Sequence, residues 1–186
     1  MEPQDIFALA QEKMDKAVAA TQTELSSLRT GRANPLLLER IYADYYGTPT
    51  PINQMGNISV QGGQSLIITP YDKTALMEIE KAISKSDLGL PPQNDGNVIR
   101  LNIPPLTEET RKQQVKLSKQ LGEEGKVAAR NIRRDMMTEL DRAEKELNLS
   151  EDDVKTWAEK IDKLTQDTNK RLDKVIADKE ADLMVI

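Results

Sequence analysis

Apolar residues recur at helical spacing in three stretches of this 186-residue chain, and at strand spacing in a fourth that lies between the first two. From about Ile6 to Leu28, the positions Phe7, Ala10, Met14, Ala17, Thr21 and Leu28 step by three, four and seven, with Leu25 one place off the missing position. That spacing predicts a helix with one apolar face. A second stripe, Val115, Ser118, Gly122, Gly125, Ala129, Ile132, Met136, Leu140, Ala143 and Leu147, is nearly heptad. Pro104-Pro105 precedes it, Thr107 suits an N-cap, and Glu108 and Glu109 sit where the helix dipole favours anions. Small residues make up its first half and let neighbouring backbones approach closely. Gly122 and Gly125 carry a helix-propensity cost of about 1 kcal/mol each. The third stripe is Val154, Trp157, Ile161, Leu164, Thr168, Leu172 and Val175, with Trp157 read as core. It follows Asn148, which suits a turn, and Ser150-Glu151-Asp152-Asp153, a capping-box pattern with Asp in place of Glu. Three amphipathic faces that each need a partner predict an antiparallel three-helix bundle. One helix over 107–147 would be roughly 60 Å long, so the bundle is elongated.

Residues 31–105 have a different character. Prolines crowd here (Pro35, Pro49, Pro51, Pro70, Pro91, Pro92), and four segments have strand composition: Ile41–Tyr46, Ile58–Val60, Leu66–Thr69 and Val98–Ile103, the last with strict alternation. Gly62-Gly63 reads as a tight turn, and Thr74–Lys85 as a short helix with Leu76, Ile79, Ala82 and Ile83 on one face. The expected fold is therefore α+β: a bundle from residues 1–30 and 106–186, with a small α/β domain, 31–105, inserted. Two short connections, Arg29–Arg32 and Ile103–Leu106, make a plausible hinge.

Composition narrows the chemistry. With no Cys and no His, the chain has no thiolate or imidazole metal site, disulfide, Cys nucleophile or Ser-His arrangement. No apolar run approaches the roughly 18 residues needed to span a bilayer. Met1-Glu2-Pro3-Gln4-Asp5 is no signal or transit peptide, so a soluble cytoplasmic protein without a membrane partner is expected.

The formal net charge is −5, which alone argues against nucleic acid. Its distribution changes that picture. Residues 111–134 hold eight basic side chains against Glu123 and Glu124, a local +6. Lys112, Lys119, Lys126 and Arg133 are seven residues apart, with Lys116 and Arg130 between them and Glu123 the one acidic interruption. Steps of four and three place all of these on one side of a helix, as a cationic ridge about 30 Å long with Arg111 and Arg134 beside it. One reading is a solvated face paired with acids of adjacent helices. The other is a phosphate-binding ridge, favoured by its nearly single sign and by the planar forks of its arginines. Arg29 and Arg32 at the hinge would extend it if the bundle's ends meet there. Gly122-Glu123-Glu124-Gly125-Lys126 mimics a phosphate loop, but its spacing and mid-helix context are wrong. Tyr42, Tyr45 and Tyr46 either stack bases or pack within the small domain. The rival functions are a helical RNA chaperone, a coiled-coil scaffold that pairs with an acidic protein, and an enzyme.

Six ordered segments resemble the ribosome recycling factor family essentially end to end: Leu28–Ala33, Tyr45–Pro51, Ser86–Leu90, Pro104–Glu109, Arg130–Asp135 and Asp178–Met184. The resemblance implies an L shape like transfer RNA, with a three-helix rod hinged to a small α/β domain. It implies binding to the rRNA of the large ribosomal subunit after termination. It also implies action with elongation factor G and GTP to split the subunits and release mRNA and tRNA. The family's rRNA-contacting arginines carry over to Arg130 and Arg133, with Arg29 and Arg32 near the hinge. The flexible joint carries over to Thr30, Gly31, Pro104 and Pro105. After the arginine cluster comes Met136-Met137-Thr138-Glu139, where family members often stay basic or polar. The expected protein is a monomer without a cofactor and, lacking a nucleotide site of its own, not an enzyme.

Overall fold

A computed structural model describes residues 1–184; the last two residues of the 106–186 segment lie outside it. The chain divides into two compact units, Met1–Leu28 with the segment from Lys112 onward, and Arg29–Arg111.

The first unit is built from α1 (Pro3–Ser26), most of α4 (Glu108–Leu147) and α5 (Glu151–Met184). Its helix ends follow the chemistry of their residues. The backbone N–H of Thr110 donates to Thr107 Oγ1 at 3.2 Å, capping α4. Asn148 takes a left-handed φ of 50° after α4. Ser150 then caps α5 by accepting from the Asp153 N–H at 3.1 Å. The Ser150 hydroxyl in turn donates to Asp153 Oδ2 at 2.6 Å.

The buried face of α1 differs from the predicted one. It runs through Pro3, Ile6, Ala10, Met14, Val18, Thr21 and Leu25, so Ile6, Val18 and Leu25 replace Phe7, Ala17 and Leu28 as members of the stripe. Phe7 and Ala17 lie at its margin, and Leu28 is buried past the helix end. In α4 the face is Ser118, Gly122, Gly125, Ala129, Met136, Leu140 and Ala143, while Leu147 is exposed. In α5 Thr165 is buried where Leu164 was expected to be central. The buried hydroxyls bond the preceding turn: Thr165 to Ile161 O at 2.9 Å, Thr168 to Leu164 O at 2.8 Å, and Ser118 to Val115 O at 2.7 Å. A threonine that satisfies itself on its own helix behaves as a small branched apolar residue. Ile6, Ala10, Met136, Leu140, Ala143 and Ile161 form one apolar cluster, with Trp157 packed against it and 6.1 Å from the Phe7 ring.

The second unit holds a two-stranded sheet, β1 (Tyr42–Tyr45) with β2 (Thr48–Pro51), and a short helix α2 (Ile52–Met55). It also holds a four-stranded antiparallel sheet in the order β3-β4-β6-β5 (Gly56–Gln61, Ser65–Pro70, Ile99–Asn102, Gln93–Asn94). Helix α3 (Leu76–Lys85) buries Leu76, Ile79 and Ile83 in a core shared with Leu66, Ile68, Ile99 and Leu101. Tyr46 and Gly47, at φ of 51° and 82°, form the two-residue turn that joins β1 to β2. β2 was not predicted: its sequence is Thr-Pro-Thr-Pro, and proline lacks a ladder donor. In a two-stranded sheet, however, every strand is an edge and tolerates it.

Candidate nucleic-acid interface

The expected cationic residues of α4 fall into two rows, set by their angle from the buried face. Lys112, Lys119, Lys126 and Arg133 each follow a heptad-related position (Gly122, Ala129) by four residues, about 40° around the helix. Lys116, Glu123 and Arg130 lie about 100° away. The first row therefore flanks the core and leans over neighbouring helices, while the second turns outward.

Two of the first row, Lys126 and Arg133, reach carboxylates of α5, whereas Lys119 of the same row makes no ion pair among the described residues. Lys126 Nζ meets Asp173 Oδ1 of α5 at 2.6 Å and Glu123 Oε1 at 3.8 Å. The Asp173 hydrogen bond foremost, against an opposing burial effect, raises the Lys126 pKa above the usual lysine value. Arg133 Nε donates to Asp162 Oδ1 of α5 at 2.5 Å. Two members of the ridge are thus partnered by carboxylates of an adjacent helix, as in the first of the two sequence readings. Lys116, Lys119 and Arg130 are exposed, and among the described residues they make no ion pair. Lys112 is exposed and Arg134 donates to Asn131 Oδ1 at 3.3 Å. At the far end Met136 is buried and Met137 packs on the apolar cluster. Beyond Arg134 acids and bases are mixed along the helix (Asp135, Glu139, Asp141, Arg142, Glu144 and Lys145), so the nearly single-signed run ends there.

Seven of the expected site residues lie in the second unit: three arginines and the four hinge residues. Arg29 and Arg111 are half-buried and Arg32 is exposed; Arg111 Nε is buried and has no hydrogen-bond partner among the described residues. Of the hinge residues, Gly31 has a φ of 76°, and a Cβ on it would lie 3.1 Å from the Leu106 backbone nitrogen. The two connections therefore run side by side here. Thr30 is half-buried, and Pro104 and Pro105 are exposed. Among the tyrosines, Tyr46 is 79% exposed with its hydroxyl donating to Asp72 Oδ2 at 3.2 Å, and its ring meets Tyr45 edge-on at 4.6 Å. Among the described residues no helix is long and apolar enough to cross a membrane.

Sequence reasoning missed Asp162 and Asp173. Heptad spacing locates the cations on α4, but the register of α5 against α4 decides which acids reach them, and no local signal carries that register.

Comparison with known proteins agrees with this architecture. A family profile described as Ribosome recycling factor matches residues 21–184. The chain is 52% identical over 182 residues to the ribosome-recycling factor of Listeria welshimeri, covering 98% of both chains. It is 52% identical over 184 residues to that of Brevibacillus brevis, covering 99% of this chain and all of the other. Among solved structures, a solution structure of the ribosome recycling factor superposes with a TM-score of 0.81 at 39% identity, covering 100% of this chain and 99% of the other. A second, from a description of the T. thermophilus ribosome recycling factor and E. coli elongation factor G bound to the E. coli post-termination complex, gives 0.68 at 40% identity with full coverage of both. The chain belongs to the ribosome recycling factor family.

Proposed function

We propose that this protein binds the post-termination ribosome on its large subunit through rRNA phosphates. With elongation factor G and GTP, it then divides the ribosome into subunits and frees mRNA and tRNA. What carries the reading, beyond family membership, is the set of exposed cations Lys116, Lys119 and Arg130, unpaired among the described residues, on one side of a 40-residue helix in a chain of net charge −5. Such a set gains affinity from charge and counterion release without reading base sequence. Lys112, Arg133 and Arg134 contribute along the same helix, and Arg29, Arg32 and Arg111 add cations from the second unit. Lys126 is largely offset by Asp173 and contributes least.

The protein works as a cytoplasmic monomer and performs no hydrolysis itself: GTP turnover belongs to the elongation factor, and this chain supplies a rigid anchored body. Thr30, Gly31, Pro104 and Pro105 flex while the anchored helices hold, so that work done on one unit is delivered to the ribosome through the other. Subunit splitting followed by light scattering tests the proposal. Splitting requires this protein, the elongation factor and GTP together; splitting by this protein alone, or none with all three, contradicts it.

A further inference from the structure

Lys126 and Arg133 stand one heptad apart on the same row of α4, and each meets a carboxylate of α5, yet the two pairs leave different chemistry exposed. The Lys126 ammonium is a point charge. It lies between Asp173 and Glu123, its side chain only 24% exposed, and has no second functional face to offer. A guanidinium carries five N–H donors in a planar fork. Arg133 commits only Nε–H, to Asp162 Oδ1, and among the described residues no ion pair or hydrogen bond engages its terminal nitrogens. Both side chains of the pair are 44% exposed. The end of the fork, Nη1 and Nη2, is the edge that takes phosphate oxygens two at a time.

We infer that Asp162 is a positioning residue for phosphate recognition by Arg133. Its carboxylate fixes the plane and reach of the guanidinium before the ribosome is met, and the open end of the fork receives the phosphate. The inference rests on the proposed reading that this side of α4 meets rRNA. Two effects of the carboxylate oppose one another. It repels a nearby phosphate, but at an exposed position the high dielectric of water weakens that repulsion. It also immobilises a long side chain whose freedom would otherwise be lost on binding, and that loss is not screened. The pair therefore favours binding on balance. The same logic distinguishes the two α5 carboxylates: Asp162 leaves a binding edge open on its partner and Asp173 does not.

The test is a double-mutant cycle in the full-length protein, with binding to purified large ribosomal subunits measured at several salt concentrations. Asp162→Ala weakens binding about fivefold, by releasing the guanidinium, without changing the salt dependence, because no cation is lost. Asp162→Asn keeps an acceptor oxygen and restores most of the affinity. In an Arg133→Gln background, Asp162→Ala brings no further loss. Helix content is the folding control, and alanine at a half-exposed helical site preserves it. Binding by Asp162→Ala equal to or tighter than that of the parent overturns the inference, as does a loss that persists in the Arg133→Gln background. If Arg130→Gln and Arg133→Gln both bind like the parent, the underlying phosphate reading fails and takes the inference with it. If those two weaken binding while Asp162→Ala does not, only the positioning role is lost.

Discussion

Thr21 of α1 occupies the space that a side chain at position 125 of α4 would fill. A Cβ on Gly125 would lie 2.5 Å from Thr21 Oγ1 and 3.1 Å from Leu172 Cδ2. The Thr21 hydroxyl is tied to Ala17 O at 3.0 Å and is poorly placed to withdraw. Gly122 stands in the same relation to Ile176, whose Cδ1 a Cβ there would overlap. The small half of the α4 stripe is therefore explained by close approach.

Gly125→Ala gains about 1 kcal/mol of helix propensity and meets an overpacking cost of about 1–3 kcal/mol, for a net loss of roughly 1 kcal/mol. Adding Thr21→Ala removes the hydroxyl and recovers that loss, because the Thr21 Cβ itself would stand at 3.5 Å. Urea unfolding of the single and double variants checks this; no recovery in the double variant means the contact is not the cause.

Lys126→Met and Arg130→Gln separate cations that act within the bundle from those that act on a ligand. The Lys126 pair with Asp173 supports packing by no more than about 1 kcal/mol, and Lys126→Met forfeits that with ribosome binding little changed. The Lys126 pKa is raised in the fold, so its contribution is complete below the ordinary lysine value of 10.5 and fades as pH rises through the folded value. Arg130→Gln does the reverse: stability holds and binding falls by about tenfold, on the order of 1.4 kcal/mol. Thermal unfolding and ribosome co-sedimentation of the two proteins read both effects.

Acid acts on the second unit through two aspartates. The backbone N–H of Thr74, then its hydroxyl, holds the Asp72 carboxyl below the usual range. The backbone N–H of Val98, then that of Asn97, does so for Asp95. Both folded values lie below the ordinary 3.8, so their support is present above that pH and is lost as pH falls through the folded values. The unit is thus expected to hold constant stability from neutrality to about pH 4 and to weaken below it. An Asp72→Asn, Asp95→Asn double variant starts less stable and shows a shallower acid dependence. An identical dependence in both proteins contradicts the assignment.

Gly31→Ala tests the connection. The residue has a left-handed φ of 76° and a backbone atom of Leu106 close by, so alanine strains and crowds it at about 1–2 kcal/mol. The α4 cations are untouched, so the variant binds ribosomes near the parent affinity and splits them more slowly. Splitting at the parent rate removes Gly31 from the proposed joint.

The helical frame was legible in the sequence because apolar periodicity, Thr107, Asn148 and Ser150 all point to the same boundaries. The predicted face of α1 was shifted because its three- and four-residue steps start from Phe7; the buried series runs through Ile6, Ala10, Met14 and Val18, and Phe7 meets Trp157 at its edge. β2 was hidden by its prolines and β5 by having only two residues. The cations of α4 were visible as a spacing; their pairing with Asp162 and Asp173 was not, since it depends on how two helices slide against one another.

The central claim is that cations along α4 replace counterions on rRNA phosphates, and the salt dependence of binding to large ribosomal subunits tests it most directly. The account predicts a linear fall of log affinity with log salt. Removing Lys116, Lys119 or Arg130 should reduce the slope by about one each, while Lys126→Met leaves it nearly unchanged. A flat dependence, or a slope indifferent to those three residues, would contradict it.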